Sequence, residues 1–262
     1  MVKLKVALLT AGLGSQNFVQ ASERLISSSN KLYRFDSTFK LESQSLSLYC
    51  PRVTDLYGNY LNQFVPGYGF WIWKPEFIYR IAKGQFGKFD EIVWIDSGCE
   101  INVNYFSRLI FEYRINKAIE TGHWLHALDN SENQYSKKSV KSQFSMLSDK
   151  SMAAPQIQAN YMHLSIKEAM PLIRDWYRMS INSIRNFDFG VSSDEDEKFI
   201  AHRNDQSIFS LLAKKYGYTH ARSDLPSGCS YRSVIRGLNE PVWIARNREG
   251  RSIIPNWIKL LP

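Results

Sequence analysis

Two carboxylates that follow an apolar run are the leading candidates for catalytic residues in this sequence. Asp96 comes directly after the run 91–95, and Glu100 follows four positions later. Because ligands bind beyond the carboxyl ends of strands in open α/β sheets, Asp96 is better placed for chemistry than for packing. Carboxylate oxygens also suit Mg2+ or Mn2+, so both residues are candidate metal ligands. The alternative is that Asp96 caps the turn and Glu100 faces solvent.

A second group, residues 66–75, combines glycine and aromatic side chains with Lys74 immediately before a predicted helix. Such a segment suits stacking on a ring and contact with phosphate, for which Lys74 would supply a point charge. The alternative is that the aromatic side chains belong to the core and the glycines relieve a crowded turn.

A third group stands at the start of another predicted helix. Asn204 can cap its free N–H groups, and the helix dipole stabilises the Asp205 carboxylate there. Capping explains those two residues. It does not explain His202, Arg203 and Gln206, whose hydrogen-bonding side chains suit a cluster of sugar hydroxyls.

Small residues follow the first predicted strand, residues 3–10. Thr10, Ala11 and Gly12 lie where this strand meets a turn, and glycine there lets a ligand approach the backbone. These three residues are therefore candidates for ligand contact.

The elements that must position these groups alternate between strand and helix, which predicts an α/β fold. The predicted strands are 3–10, 32–35, 45–49, 91–95, 123–128 and 156–163. The predicted helices are 16–30, 75–83, 104–121, 166–186 with an interruption at Pro171, and 204–215. Residues 130–154 are predicted to be a mobile polar loop, and residues 192–197 an acidic surface turn. A strand around 243–245 and a loop carrying Arg246, Arg248 and Arg251 are expected to close over the site.

Composition narrows the class of protein. A length of 262 residues with 44% hydrophobic residues fits one domain. The formal charge of +8 fits a nucleotide diphosphate, an anionic membrane surface or nucleic acid. Nucleic acid is disfavoured because no basic cluster is interleaved with aromatic residues. The odd set Cys50, Cys99 and Cys229 predicts reduced thiols.

No segment has the composition of a signal peptide, and none approaches the roughly 18 to 20 apolar residues of a membrane span. The sequence therefore predicts a cytoplasmic protein, with peripheral contact at the cytoplasmic face of an anionic membrane left open.

The segments 67–75, 94–100 and 202–207 resemble, in order and spacing, a family of bacterial polysaccharide glycosyltransferases, and the resemblance spans about residues 1–220. It implies a GT-A architecture: a Rossmann-like nucleotide-diphospho-sugar transferase fold, α/β, with a mixed central sheet flanked by helices. It further implies a single domain over 1–262, with a nucleotide-binding part at about 1–130 and an acceptor-side part at about 131–262.

The resemblance also implies roles for individual residues. GT-A enzymes carry an Asp-x-Asp motif that binds the metal and the donor diphosphate, and here the sequence keeps Asp96 but has Gly98 at the second position. Mn2+ or Mg2+ at Asp96 and Glu100 is therefore an open expectation. Asp205 and Gln206 resemble a pair that faces the donor sugar, which makes them the expected catalytic residues.

The stereochemical course stays open. If the enzyme inverts, Asp205 or Asp129 would take the acceptor proton. If it retains, Asp205 or Gln206 would steady the oxocarbenium-like centre.

The expected function is transfer of a sugar from a nucleotide-sugar donor to a saccharide or lipid-linked glycan acceptor, in surface polysaccharide or glycan biosynthesis. The alternative is a catalytically inactive carbohydrate-binding or scaffold protein with a transferase fold. The expected donor-binding residues are Thr10, Ala11, Gly12, Gly67, Tyr68, Gly69, Trp73, Lys74, Asp96, Ser97, Gly98, His202 and Arg203.

Overall fold

The computed structural model of this chain describes residues 4–220, 237–248, 252 and 254. Its strands are β1 Val6–Ala11, β2 Ser37–Leu41, β3 Glu91–Ile95, β4 Glu100–Ile101, β5 His123–Trp124, β6 Ala127–Ser131, β7 Pro155–Ile157, β8 Tyr161–Ser165 and β9 Val242–Trp243. Its helices are α1 Gln16–Leu32, α2 Leu46–Tyr49, α3 Pro51–Tyr57, α4 Gly67–Phe70, α5 Trp73–Ala82, α6 Tyr105–Thr121, α7 Glu132–Tyr135, α8 Lys138–Lys141, α9 Asp149–Ala153, α10 Ile166–Asn182 and α11 Asn204–Lys215.

A mixed sheet forms the centre of the molecule. Within the described residues its strand order is β2-β1-β3-β8-β5. Strands β2, β1 and β3 run parallel, β8 is antiparallel to β3, and β5 is antiparallel to β8. The register places Ile95, the last residue of β3, opposite Tyr161 of β8. The carboxyl ends of β1 and β3 therefore open at one edge, where Asp96 follows β3.

Helices cover both faces of this sheet, as the alternation of side chains along β1 requires. Ala7 and Leu9 pack in a core with buried residues of α5, α10 and α11. Val6 and Leu8 point the other way and pack with residues of α1 and α6. Because both faces are buried, β3 is apolar at four consecutive positions, Ile92 to Ile95. The structure confirms the predicted α/β class with a mixed sheet flanked by helices.

Several helix boundaries follow from local chemistry. The side chain of Asn104 accepts a hydrogen bond from the backbone N–H of Ser107 and so caps α6. Gly122 ends the same helix in a left-handed conformation with φ of 91°. Pro171 lies inside α10 without interrupting it, which corrects the predicted break. The carbonyl that loses its hydrogen bond belongs to exposed Lys167, where water can replace the missing N–H.

Two regions differ from the sequence predictions. The strands predicted at 32–35 and 45–49 were wrong, because the edge strand β2 lies between them and the second segment forms α2. Strand β2 is mostly half-buried and mixes polar with apolar residues, so its pattern is weak. Residues 130–154, predicted as a mobile loop, form the end of β6 and the short helices α7, α8 and α9. Buried Val140 and Phe144 hold that region against the main core.

Cys50 and Cys99 are free, buried thiols, as predicted. Cys229, Arg251 and Ile253 lie outside the described residues. Across the described ranges, the structure contains no helix with the length and apolar character needed to cross a bilayer.

Candidate active site

A cleft of about 1190 Å³ opens where β1 and β3 end and α11 begins. The predicted site residues that line it are Ala11, Gly67, Tyr68, Trp73, Asp96, Ser97, Gly98, His202, Arg203, Asp205 and Gln206. Asp129, the other candidate base, also lines it. The fold thus brings the end of β3 and the start of α11, which are remote in sequence, to a common site.

The ammonium group of Lys74 is buried beneath this cleft, between the carboxylates of Asp96 and Asp205, which line it. Its Nζ atom is 3.1 Å from Asp96 Oδ1 and 3.0 Å from Asp205 Oδ2. It also donates a 2.7 Å hydrogen bond to the carbonyl of Ala159 and lies 4.6 Å from the centre of the Trp94 ring. The Lys74 side chain is 1% exposed, so α5 carries a buried charge that needs these partners.

For both Asp205 and Lys74, burial and neighbouring charges of opposite sign shift the pKa in opposite directions. Burial raises the pKa of the Asp205 carboxyl to about 6, while the ammonium of Lys74 limits the rise. For Lys74, burial favours the neutral amine, but Asp205 and Asp96 outweigh it and raise the pKa of the ammonium. At neutral pH, Lys74 is therefore charged, and Asp205 is mostly ionised while remaining easy to protonate.

Asp96 is held from one side only. Its Oδ1 atom accepts a 2.6 Å hydrogen bond from Trp94 Nε1 in addition to the contact with Lys74. The side chain is 34% exposed, so the rest of the carboxylate faces the cleft. Strand β3 supplies the indole of Trp94, which orients the carboxylate that follows the strand.

Residues 67–71 form one wall of the cleft in a left-handed backbone conformation. Their φ angles are 62° at Gly67, 55° at Tyr68, 96° at Gly69, 58° at Phe70 and 59° at Trp71. The turn is closed by hydrogen bonds, including the 2.7 Å bond from the Phe70 N–H to the Pro66 carbonyl. Left-handed conformations cost about 1–2 kcal/mol per non-glycine residue. Strain of this kind occurs most often at functional sites.

Glycine is required at one position of this turn by space as well as by conformation. A Cβ atom on Gly67 would lie 2.2 Å from the Trp71 ring. Trp73 Nε1 donates a 2.9 Å hydrogen bond to the carbonyl of the same glycine, which fixes the turn against α5.

Two polar residues at the start of α11, His202 and Asn204, use their side chains to bind backbone groups of neighbouring segments. His202 is buried: its Nε2 atom is 2.8 Å from the Asn186 carbonyl, and its Nδ1 faces the backbone N–H of Lys137. Burial, reinforced by the Lys137 charge, lowers the pKa of His202 to about 4. Asn204 does not cap the helix as predicted, because its side chain donates instead to the Phe187 carbonyl.

Gln206 and Arg203 are linked through Gln156, which the sequence analysis did not select. Gln206 Nε2 donates to Gln156 Oε1 at 2.8 Å, and Arg203 Nη1 donates to the same oxygen at 3.4 Å. The guanidinium of Arg203 also lies 3.5 Å from the centre of the Tyr135 ring. A glutamine in a three-residue strand gives no sequence signal, because its role depends on pairing across the fold.

Five of the predicted site residues do not line the cleft, and Lys74, buried beneath it, is one of them. Thr10 is fully buried, and Gly12 makes room for α1, since a Cβ atom there would lie 2.4 Å from Ser22 Oγ. Gly69 packs on the opposite side of its turn, where a Cβ atom would lie 2.7 Å from the side chain of Leu61. The fifth is Glu100.

Glu100 is a structural anion rather than a cleft ligand. Its carboxylate lies 3.4 Å from Arg24 Nε, accepts a hydrogen bond from Asn247 and accepts another from Ser252 at 2.8 Å. The residue is 2% exposed. The expectation that it holds a metal is corrected, since its oxygens already have these partners.

The remaining donor set does not fit a divalent metal. Lys74 takes up one oxygen of Asp96 and one of Asp205, and it adds a positive charge where a cation would need carboxylates. Within the described ranges, His, Cys, Asp and Glu side chains form no group of three or more that could hold a metal ion. Mg2+ and Mn2+ prefer hard oxygen ligands. Asp96 alone offers an open carboxylate oxygen at the end of β3.

Several cleft residues were not selected from the sequence. Phe18 of α1 and the polar side chains of Gln158 and Asn160 line the cleft. They lie in segments without a motif. Arg246 and Arg248, from the basic cluster of the predicted closing loop, also line it.

No protein-family model and no curated protein matches this sequence. Among solved structures, mouse xyloside xylosyltransferase 1 in its apo form aligns with a TM-score of 0.46 and 12% identity, over 92% of this chain and 98% of that one. A glycosyltransferase involved in glycosylation of the major capsid of PBCV-1 aligns with a TM-score of 0.49 and 8% identity, over 98% and 100%. The glycosyltransferase GlyE of Streptococcus pneumoniae, in its apo form, aligns with a TM-score of 0.39 and 13% identity, over 84% of this chain and 45% of that one.

Proposed function

We propose that this chain is a glycosyltransferase of GT-A type that moves a sugar from a nucleotide-sugar donor to an acceptor hydroxyl. One observation carries the proposal: the Asp205 carboxylate, 7% exposed, is held by Lys74 at the bottom of a cleft that Asp96 also lines. Its pKa of about 6 suits a group that must be ionised at neutral pH and still accept a proton.

The size and lining of the cleft support a large, partly charged ligand. Typical small-molecule sites measure about 300–1000 Å³, so about 1190 Å³ leaves room for a donor and part of an acceptor. Tyr68, Trp71 and Trp73 offer aromatic surface, and the polar side chain of Asn160 also lines the cleft. These are the groups that a base, a sugar ring and its hydroxyls require.

The chemical roles follow from position. In an inverting reaction, the Asp205 carboxylate takes the proton of the acceptor hydroxyl, with exposed Asp129 as the second candidate. In a retaining reaction, Asp205 or Gln206 faces the positive charge that develops on the sugar. Asp96 orients the donor from the end of β3.

The proposal extends to the acceptor and to the cellular location of the enzyme. We propose a saccharide or lipid-linked glycan, in surface polysaccharide synthesis at the cytoplasmic face of a membrane. Phe64 is 85% exposed beside the cleft residues Gln63 and Val65, and Phe189 is 48% exposed and lines the cleft itself. Apolar side chains at the mouth, together with the charge of +8, support contact with a lipid and an anionic surface.

We also propose a single domain over residues 1–262. The central sheet takes strands from both sides of residue 130, and residues from both parts line the cleft. A donor bound there would therefore contact both the part at about 1–130 and the part at about 131–262.

The test is release of nucleoside diphosphate from a panel of nucleotide sugars, with and without acceptor saccharides. Asp205→Asn is expected to lower the rate about 10²–10⁴-fold, the usual contribution of a general base. Asp175→Asn is the matched control. Asp175 of α10 also forms an ion pair, at 3.2 Å from Lys215 of α11, but it is not among the residues that line the cleft. Tight sugar binding without turnover by the wild-type protein would favour the carbohydrate-binding alternative. Equal rates in wild type and Asp205→Asn would remove Asp205 from the mechanism.

A further inference from the structure

Three arginines from two segments of the chain line the cleft. Arg203 comes from the start of α11, and Arg246 and Arg248 come from the segment after β9. Among the described residues, no Asp or Glu oxygen lies within ion-pair distance of any of the three. Burial lowers the pKa of Arg203, and the nearby charge of Arg246 lowers it further. Like charges held together in this way favour a bound anion.

The backbone holds this arginine segment against the turn after β3. The N–H of Asn247 donates a 2.8 Å hydrogen bond to the Gly98 carbonyl. A Cβ atom on Gly98 would lie 3.5 Å from the Cα of Arg246. The position where the resemblance expects a second carboxylate is therefore occupied by a glycine, with an arginine of a different segment packed against it.

Arg24 fixes the two segments together. Its Nη2 atom donates to the carbonyls of Ser97 at 3.0 Å, Cys99 at 3.1 Å and Asn247 at 3.1 Å. Glu100 neutralises the Arg24 charge from behind. This buried ion pair gives Arg246 and Arg248 a defined place at the end of β3, although both side chains are exposed.

A ring contact orients one of these arginines. The guanidinium of Arg248 lies 5.0 Å from the centre of the Phe18 ring, and Phe18 itself lines the cleft. Stacking of this kind leaves the edge of the guanidinium, with its N–H donors, available to an anion.

We infer that Arg203, Arg246 and Arg248 hold the diphosphate of the donor and take the place of a divalent metal ion. The inference rests on the proposed transferase function and identifies the residues that bind its leaving group, the nucleoside diphosphate. Guanidinium groups present N–H donors in a geometry that matches phosphate oxygens. Lys74 supports the same arrangement, since its ammonium already neutralises the carboxylates that a metal would require.

The test is calorimetric titration of the full chain with inorganic pyrophosphate and with a panel of nucleoside diphosphates, each in EDTA and in Mn2+. We expect Kd values that agree within about twofold between the two conditions. Arg246→Gln and Arg248→Gln should each weaken binding about 10- to 100-fold, as expected for loss of a charged hydrogen bond. Both residues are exposed, so the variants should fold. Arg108→Gln, at an exposed position of α6, is the matched control and should bind like the wild type.

The outcomes distinguish failure of the arginine proposal from failure of the proposed transferase function. Binding that is lost in EDTA and restored by Mn2+ would overturn the arginine grip while leaving the transferase function intact. Unchanged affinity in both arginine variants would also overturn it. Absence of binding to every diphosphate in both conditions would overturn the inference and the proposed function together.

Discussion

Replacement of Lys74 by methionine removes the charge between Asp96 and Asp205 while keeping most of the side-chain volume. At 3.0 Å, an ammonium and a carboxylate attract each other by about 5–6 kcal/mol at an effective dielectric constant of about 20. Desolvation cancels part of this attraction, so we expect Lys74→Met to lower the free energy of unfolding at pH 8 by about 3–5 kcal/mol. Two carboxylates would then face each other in the cleft without a counter-charge.

The loss should depend on pH, because the pKa of Asp205 depends on Lys74. In the wild type this pKa is raised from 3.8 to about 6, so the folded state holds a proton that the unfolded chain has released. This contribution to stability is present at low pH and falls by about 3 kcal/mol as the pH rises from about 4 to 6. Without Lys74 the pKa rises further, and the decline continues to higher pH. The variant should therefore be closer to the wild type at pH 5 than at pH 8.

Urea unfolding at both pH values measures this difference, and a double-mutant cycle with Asp205→Asn isolates the pair. We expect a coupling free energy of about 2–3 kcal/mol at pH 8 and a smaller one at pH 5. Lys214→Met is a useful comparison, because Lys214 forms a buried ion pair with Glu132 at 2.9 Å away from the cleft. It should lose comparable stability and keep diphosphate binding. Additive effects of Lys74→Met and Asp205→Asn at pH 8 would refute the charge cluster.

Three further predictions concern the turn, the α6 cap and the acid limb of activity. Gly67→Ala should lower the free energy of unfolding by about 1–3 kcal/mol, because φ is 62° and the new Cβ would meet the Trp71 ring; an unchanged urea midpoint would contradict this. Asn104→Ala should lower the free energy of unfolding by about 1–3 kcal/mol, because it removes both the hydrogen bond from the Ser107 N–H and the one that Asn104 Nδ2 donates to the Leu238 carbonyl; an unchanged melting temperature would contradict this. The rate of donor turnover should fall below about pH 6 as Asp205 is protonated, and a pH–rate profile without that limb would exclude Asp205 as the ionising group.

The elements that could be predicted from sequence are those with a complete local signal. Helix α11 has polar residues at its start, two lysines in its last turn and Gly217 beyond, and it spans Asn204–Lys215 as predicted. Strand β3 is a short apolar run that ends at Asp96, and its bounds were also predicted correctly. The edge strand β2 lacked such a signal, since only Leu41 of its five residues is buried.

Individual site residues could be predicted from the sequence, but the contacts between them could not. The resemblance implied that Asp96 and Asp205 both serve the donor, and the two residues line the same cleft. Sequence reasoning could not place the Lys74 ammonium between them, since that depends on how α5 packs against β3. The same holds for Glu100, which is 76 positions from its partner Arg24 in sequence.

The cleft concentrates features that lower the stability of the protein. The left-handed turn at 67–71, the buried charge of Lys74 and the arginines without carboxylate partners among the described residues each cost free energy, and all three lie at or beneath the cleft that Asp205 lines. Apolar replacement of a buried ion pair is often neutral or stabilising by about 1–4 kcal/mol. The variant Lys74→Met/Asp205→Leu should therefore regain much of the stability lost by Lys74→Met, and it should lose donor turnover. Packing alone would favour such an apolar pair at the end of β3. Under the proposed function, the charged pair and the strained turn are retained because they contact the bound donor.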